Sequence, residues 1–423
     1  MKLEKHEVQL MGEEIYRARL SDGLEVVFMP RKGYTKMHAM FATRYGSIDS
    51  DFITPEGKRL SIPDGTAHFL EHKLFDSKDG NVFEKFSRYG ASANAFTSAN
   101  ITAYHFTATE NIYENLAALI EFVQDPYFTK ESIQKEQGII AQEIQIGDDD
   151  PGWQVYFNLL KGLYHNHPVR RDIAGTKESI ATIDEGVLYD AYNTFYHPSN
   201  MVLFITGNIE LEKASQCVEN SLKNFGEDNS EIQRIFPEEP EGVSRSYVEV
   251  EFSIALPLFM LGFKDTEVAT GNELLKKDIK MQMLLEMIFS KSAPLYQELY
   301  QKGLINEGFY AGYMMHQSYA YTILDGESKD PNQVRDRIFN YITHLELDQK
   351  AYEVARKVVW GRYVNSFNTP ERYTREFVSN FLLGTDYTIF GDLFDSISFE
   401  DIKGRLKALD QSKAVLSVAV PTK

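Results

Sequence analysis

Cysteine is almost absent from this chain: Cys217 is the only one among 423 residues. A single thiol cannot form a disulfide within the chain, and it excludes zinc or iron–sulfur sites built on several cysteines. Stability must therefore come from packed cores. A chain of this length, 43% hydrophobic, is long enough for two or three domains that each bury a core of their own.

Long hydrophobic runs are also missing. The densest apolar stretch, residues 254–263, is about ten residues long and contains Pro257, which is too short for a membrane-spanning helix. The first twenty residues mix both signs of charge and contain no apolar core of a secretory signal. We therefore expect a cytoplasmic protein that does not enter a membrane.

Basic residues are scarce, with 44 Lys and Arg against 62 Asp and Glu, and the net charge is −18. Nucleic-acid binding depends on clustered cations that neutralise phosphates, so no nucleic-acid partner is expected. An anionic membrane surface is not an expected partner either, on the same ground. A basic substrate would be attracted, unless the charge serves only solubility.

The apolar spacing predicts a mixed α/β chain. A β-hairpin is expected over residues 16–29, where Asp22 and Gly23 form the turn, followed by a strand at 37–44. A short helix is expected at 66–75, capped by Asp64 or Thr66. Residues 94–109 are predicted as extended strand, residues 112–125 and 129–146 as amphipathic helices, and residues 201–206 as a buried strand.

The two halves of the chain resemble each other. HFLEHKLF at 68–75 is echoed by MLLEMIFS at 283–290, and VFEKFSRYGA at 82–91 by LYQELYQKGL at 295–304. Echoes in the same order indicate a duplicated α/β unit. Residues 226–246 are acidic, hold two prolines and lack periodicity, as linkers do. We predict an N-terminal domain at 1–228, a linker at 229–245 and a C-terminal domain of similar fold at 246–423.

The sequence HFLEH holds the chemistry. On a helix, His68 and His72 lie on one face with Glu71 beside them. Two imidazoles can bind one zinc ion, and a catalytic site then needs a third protein ligand and an open position for water. A neighbouring carboxylate such as Glu71 can take a proton from that water.

Glu143, on the second predicted amphipathic helix, is the preferred third ligand. Glu136 and Glu143 lie seven residues, or two turns, apart on one face of the predicted helix. One could bind zinc while the other supports a ligand. His165 and His167 flank Asn166 in a predicted loop and could mimic a metal pair, although turn packing is the more common role. No nucleophile elbow or phosphate-binding loop is present, but composition does not exclude a Ser or Cys triad.

These segments resemble peptidase family M16, whose members carry the inverted zinc motif HxxEH. The resemblance covers most of the chain: GTAHFLEH at 65–72 is similar to the metal segment, NAFTS at 94–98 to the substrate-binding edge strand, KEQGIIAQE at 135–143 to the third-ligand helix, and YHNHP at 164–168 to a further family segment. It implies Glu143 as the third zinc ligand, Glu136 in a supporting catalytic role, and Asn94, Ala95 and Phe96 as substrate contacts. It also supports a structural role for His165 and His167.

The resemblance further implies two homologous domains, each a mostly antiparallel sheet packed by helices, which form half of a clam-like chamber around a peptide. Active members offer an Arg and a Tyr from their second half. The matching segment here, near residues 310–324, contains Tyr319 and Tyr321 but no Arg. In the echo of the metal motif, Met283 and Met287 replace the histidines. A related partner chain, or a second copy, is therefore expected to complete the site.

The prediction is a zinc-dependent endopeptidase that cleaves short or unfolded peptides together with a related non-catalytic chain. The alternative is a weakly active or non-catalytic subunit that binds peptide within such a complex. A purely structural zinc is disfavoured by Glu71, because structural sites normally close with a fourth protein ligand.

Overall fold

The computed structural model of the chain describes residues 1–8, 12–78, 80–223, 225 and 231–422. These residues divide into two compact units. The first unit comprises residues 1–144, 172–235 and 366–389, and the second comprises residues 145–171, 236–365 and 390–423. Each unit is thus assembled from separate stretches of the chain.

The first unit is built on a sheet of seven strands in the order β1-β2-β3-β11-β4-β10-β9. Only β3 and β11 pair in parallel; the other neighbours are antiparallel. The strands are β1 Glu4–Val8, β2 Glu13–Arg19, β3 Glu25–Pro30, β4 Met37–Thr43, β9 Ser92–Thr97, β10 Thr102–Ala108 and β11 Met201–Gly207. Small sheets are formed by β5 Asp51–Ile53, β6 Arg59–Ser61 and β12 Gln233–Arg234, and by β7 Asp76–Ser77 and β8 Gly80–Asn81.

Helices bury the apolar face of this sheet. The core contains Phe41, Tyr104 and Phe106 from the strands and Phe69 and Leu119 from the helices. The helices are α1 Thr66–Leu74, α2 Phe83–Arg88, α3 Ile112–Val123, α4 Lys130–Asp148, α6 Lys177–Ile180, α7 Glu185–Phe195, α8 Leu211–Ser221 and α13 Pro370–Leu382.

The second unit has five strands in the order β13-β17-β14-β16-β15. They are β13 Tyr247–Phe252, β14 Leu258–Lys264, β15 Tyr310–Met315, β16 Ala320–Glu327 and β17 Ala414–Pro421. The helices are α5 Pro151–Leu163, α9 Gly271–Phe289, α10 Pro294–Gln301, α11 Pro331–Thr343, α12 Gln349–Ser366, α14 Phe390–Asp395 and α15 Phe399–Arg405.

The two sheets share one topology, which confirms the predicted repeat of an α/β fold. Strands β3, β4, β9, β10 and β11 match β13, β14, β15, β16 and β17 in chain order, in position and in direction, including the single parallel pair. The segments echoed in the sequence occupy equivalent places: α1 corresponds to α9, and α2 to α10.

One helix in each unit comes from the other half of the sequence. Helix α5 packs on β17, β14 and β13, whereas α13 packs on β11 and β4. The predicted boundaries, 1–228 and 246–423, are continuous along the chain and stay a prediction about domains. Residues 229–230 of the predicted linker at 229–245 lie outside the described residues, and β12 lies within its described part.

Local predictions were mostly close. The hairpin around Asp22 and Gly23 is formed by β2 and β3, and α3 and α4 lie where amphipathic helices were predicted. The single extended strand predicted over 94–109 is wrong, because the chain turns back between β9 and β10, where the Ser98 N–H bonds the Ile101 carbonyl. Among the described residues, no helix is long and apolar enough to cross a bilayer.

Glu239 anchors the loop that carries His165 and His167. Its carboxylate accepts hydrogen bonds from the backbone N–H groups of residues 165, 166 and 167 at 2.7–2.9 Å and from Lys264 Nζ at 2.7 Å. Burial works to raise the pKa of Glu239, but these bonds outweigh it and hold the pKa at about 2. Burial lowers the pKa of Lys264, and the ion pair with Glu239 offsets part of that effect.

We expect Glu239→Gln to destabilise the chain by about 2 kcal/mol at neutral pH, since three backbone donors and the buried Lys264 lose a charged acceptor. A pKa held below its ordinary value contributes stability above that value, and the contribution is lost as the pH falls towards about 2. The melting temperatures of wild type and variant should therefore converge between about pH 5 and pH 2. Glu238→Gln, at an exposed neighbour, serves as the control. A gap that is independent of pH would contradict this account.

Candidate metal centre

Helix α1 presents the two histidines of the motif side by side. The imidazole centroids of His68 and His72 are 4.5 Å apart, as expected for positions four residues apart on a helix. The predicted N-cap at Asp64 or Thr66 is wrong: Gly65 holds that position with φ 89° and no side-chain cap. The left-handed conformation lets the chain enter α1 in a turn that favours glycine.

Close backbone packing fixes the start of α1. A Cβ on Gly65 would lie 2.4 Å from the Ala174 carbonyl oxygen, and a Cβ on Gly175 would lie 2.4 Å from the Asp64 carbonyl oxygen. Both glycines have positive φ. The two loops therefore approach each other only because neither residue has a side chain, and this contact sets the position of the histidine helix.

Helix α4 brings Glu143 to the histidines. Glu143 Oε2 lies 3.8 Å from His68 Nε2 and 3.7 Å from His72 Nε2. Within the described parts of the chain, these three residues form the only group of three or more His, Cys, Asp or Glu whose possible ligand atoms all lie within 4.8 Å of one another. The three side chains of the predicted ligand set are thus brought together.

The geometry suits zinc. Ligand atoms held at about 2.0–2.2 Å around a tetrahedral ion lie roughly 3.3–3.6 Å apart, so the 3.7 and 3.8 Å separations need only a small adjustment. His68 Nδ1 is buried and has no hydrogen-bond partner in the described chain. Burial, with His72 adding to it, lowers the pKa of His68 to about 4. The imidazole is therefore neutral at pH 7, as a ligand must be.

Glu136 lies behind His72. Its Oε1 is 3.0 Å from His72 Nδ1, which leaves Nε2 of that ring directed towards Glu143. Burial alone would lower the pKa of His72, but the hydrogen bond with Glu136 and the nearby carboxylates raise it. Burial works to raise the pKa of Glu136, and the His72 and Lys73 contacts outweigh it and lower it. This is the arrangement by which a carboxylate orients a histidine ligand.

Lys73 is a neighbour of the site that the sequence reasoning missed. Its side chain is only 1% exposed, its ammonium pairs with Asp76, and it lies 3.8 Å from Glu136 Oε2. A buried cation there stabilises the ionised form of Glu136. The signal available in the sequence was a lysine directly after His72, in the helix that carries the motif.

Glu71 lies on the side of α1 that meets the edge strand β9. It is buried, and Thr97 Oγ1 donates to its Oε2 at 2.5 Å. Burial raises the pKa of Glu71, and Glu143 adds to this, while the Thr97 hydrogen bond and His72 offset part of the effect. A carboxylate with a raised pKa is suited to accept and return a proton near neutral pH. Thr97 was quoted in the sequence motif but had been given no role.

Strand β9, which carries Asn94, Ala95 and Phe96, forms one edge of the seven-stranded sheet and pairs only with β10. The Ala95 N–H donates to Asn94 Oδ1 at 2.9 Å, so this backbone group is not used in pairing with β10. Ala95 packs against the core, whereas Phe96 lies on the opposite face of the strand, near His105. The edge can therefore accept a further strand.

The other candidate residues have structural surroundings. His167 is buried, with Nε2 3.0 Å from Ser318 Oγ and Nδ1 accepting from the Val169 N–H. Burial lowers its pKa to about 4. Tyr321 is buried and hydrogen-bonded to Tyr156 at 2.7 Å. These contacts indicate packing within the second unit.

Comparison with known proteins adds independent findings. A family model described as "Insulinase (Peptidase family M16)" matches residues 61–177, and one described as "Peptidase M16 inactive domain" matches residues 182–358. The chain is 41% identical to the "Uncharacterized zinc protease YmfH" of Bacillus subtilis (strain 168), with 94% of each chain covered. The chain is also 26% identical to the "Uncharacterized zinc protease YmxG" of the same organism, over 86% of this chain and 91% of the relative.

Solved structures also match this chain over nearly its whole length. A structure described as "putative M16-like peptidase from Alicyclobacillus acidocaldarius" superposes with a TM-score of 0.93 at 36% identity, covering 100% of this chain and 99% of that chain. Pitrilysin superposes with a TM-score of 0.77 at 17% identity, which shows the fold alone; the alignment covers 99% of this chain and 46% of pitrilysin.

We expect Gly65→Ala to lower the stability of the chain and of the site by more than the cost of a positive φ alone. A side chain at positive φ costs about 1–2 kcal/mol, and at Gly65 it would also push against the Ala174 carbonyl. Gly57→Ala is the matched control, since Gly57 has φ 82° and open space around its Cβ position. The melting temperature and the zinc content should both fall for Gly65→Ala, while Gly57→Ala keeps its zinc. Equal effects in the two variants would contradict the role of the close contact.

Proposed function

The chain belongs to peptidase family M16, and on that premise we propose that it is a zinc-dependent endopeptidase acting on short or unfolded peptides. The observation that carries the proposal is the convergence of His68, His72 and Glu143 beside the buried carboxylate of Glu71. Three protein side chains would hold the zinc and would keep a position open for water, which is typical of catalytic rather than structural sites.

Zinc held there would lower the pKa of a bound water and polarise a peptide carbonyl. In this proposal, Glu71 takes a proton from the attacking water on a carboxylate oxygen and passes it to the leaving amine. Thr97 keeps the Glu71 carboxylate oriented through its hydrogen bond to Oε2. Glu136 orients His72 through Nδ1, and Lys73 keeps Glu136 ionised.

The edge strand suggests how a peptide is held. A substrate that pairs with β9 would use backbone hydrogen bonds, which accept varied sequences. Asn94 caps the Ala95 N–H in the free chain, and we propose that an entering peptide takes its place. Asn94, Ala95 and Phe96 are thus the proposed substrate contacts.

A partner chain is part of the proposal. Residues 310–324 contain no arginine, and the buried, hydrogen-bonded Tyr321 is poorly suited to reach a substrate. The second candidate function, a weakly active or non-catalytic subunit, is favoured by the same observation. A cytoplasmic location is also proposed, in keeping with the lone Cys217.

We expect Glu71→Gln to lower peptide cleavage by at least about 100-fold, because the general base is lost, while zinc stays bound. Cleavage of an internally quenched fluorescent peptide and zinc content by atomic absorption measure the two effects. Glu136→Gln is the contrasting variant: it should weaken zinc binding by about 10- to 100-fold, as loss of a carboxylate behind a histidine ligand does. Full activity of the Glu71→Gln variant would refute the assignment of the base.

The pure chain is expected to cleave peptides slowly, and a related chain that lacks HxxEH but carries an Arg and a Tyr should increase the rate. The measurement compares kcat/KM for the chain alone and for its mixture with such a related chain. Fast cleavage by the chain alone would remove the need for a partner. No cleavage in either case, with zinc bound, would favour the non-catalytic alternative.

A further inference from the structure

An arginine of helix α13 lies over the edge strand. The Arg375 guanidinium carbon is 4.4 Å from the centroid of the Phe96 ring, which is within the range of a cation–π contact. Helix α13 belongs to the first unit although it lies late in the sequence. It thus adds a cation to a strand whose own residues, SANAFT, are uncharged.

Arg375 is exposed and has no carboxylate partner within ion-pair distance in the described chain. The acidic residues near it on α13 are Glu371 and Glu376. Glu371 accepts a hydrogen bond from Thr107 at 3.3 Å, and burial raises the pKa of Glu376, with Arg372 and Arg375 offsetting part of the shift. Burial lowers the pKa of His105, and Arg375 lowers it further. Among the described residues, Arg375 is therefore a cation on this face that no carboxylate neutralises at close range.

The strand geometry says which substrate side chains Arg375 would meet. Side chains of β9 alternate between two faces: Thr97 contacts Glu71 on one face, and Phe96 contacts Arg375 on the other. A peptide paired with β9 would alternate in the same way, so that every second side chain lies on the face of Phe96 and Arg375, and the nearest of them meets Arg375.

We infer that Arg375, stacked on Phe96, forms a subsite for acidic peptide side chains on the face of β9 opposite Glu71. The inference rests on the proposed function and adds a substrate preference to it. The preference is local. The net charge of −18 acts at long range on any peptide, whereas Arg375 favours Asp or Glu only at a substrate position on its own face of the strand.

Binding to the zinc-loaded, full-length Glu71→Gln chain tests this without turnover. The probes are short, fluorescently labelled peptides of alternating Thr and Val, in which every second residue is replaced by Glu, by Ala or by Lys. We expect the Glu peptide to bind about 2- to 5-fold more tightly than the Ala peptide, as a partly exposed charge pair allows. Arg375→Ala should remove the difference, Arg375→Lys should retain part of it, and Arg375→Glu should favour the Lys peptide. High salt should reduce the preference.

Arg372→Ala is the matched control, because Arg372 is exposed on the same helix and should leave the preference intact. Zinc content and melting temperature should be equal in all variants. Binding whose preference is the same with and without Arg375 would overturn this inference and leave the proposed function standing. Failure of every peptide to bind would overturn both.

Discussion

The site depends on the position of one short helix. Helix α1 must direct His68 and His72 towards α4 while it directs Glu71 towards β9, and the helical spacing of three and four residues makes both possible at once. The contact between the loops at Gly65 and Gly175 sets where α1 begins. A shift of this helix along its axis would move the imidazoles away from Glu143 and the Glu71 carboxylate away from Thr97 together.

Charged side chains follow one another outward from the two histidines. Glu143 faces the Nε2 atoms, Glu136 holds the Nδ1 of His72, and the buried Lys73 balances Glu136. An unpaired carboxylate buried behind His72 would cost free energy, because it loses its hydration. The nearby ammonium of Lys73 offsets that cost for Glu136. The exposure of the Glu143 side chain, 42%, against 13% for Glu136 matches their different surroundings.

Much of this could be predicted from the sequence, because HFLEH fixes the relation of three side chains within one turn of helix. Spacing alone does not separate Glu136 from Glu143, since both lie on one face of α4, and it was the family resemblance that assigned Glu143 as the ligand. The packing of α4 against α1 decides which oxygen meets which ring nitrogen. The turn between β9 and β10 was missed because the segment from Ser98 to Ile101 contains neither Gly nor Pro. The composition of the two units also lay beyond sequence patterns, since α5 and α13 look like ordinary amphipathic helices.

The exchange of these two helices has a consequence for biosynthesis. Strands β4 and β11 are complete once residue 207 has been made, but the helix that packs on them, α13, ends at Leu382. The apolar surface under Phe377, which meets Phe204 of β11, therefore stays open to solvent while more than a third of the chain is still to be synthesised. During translation, this exposed apolar surface is a site of aggregation risk and a surface to which a chaperone can bind.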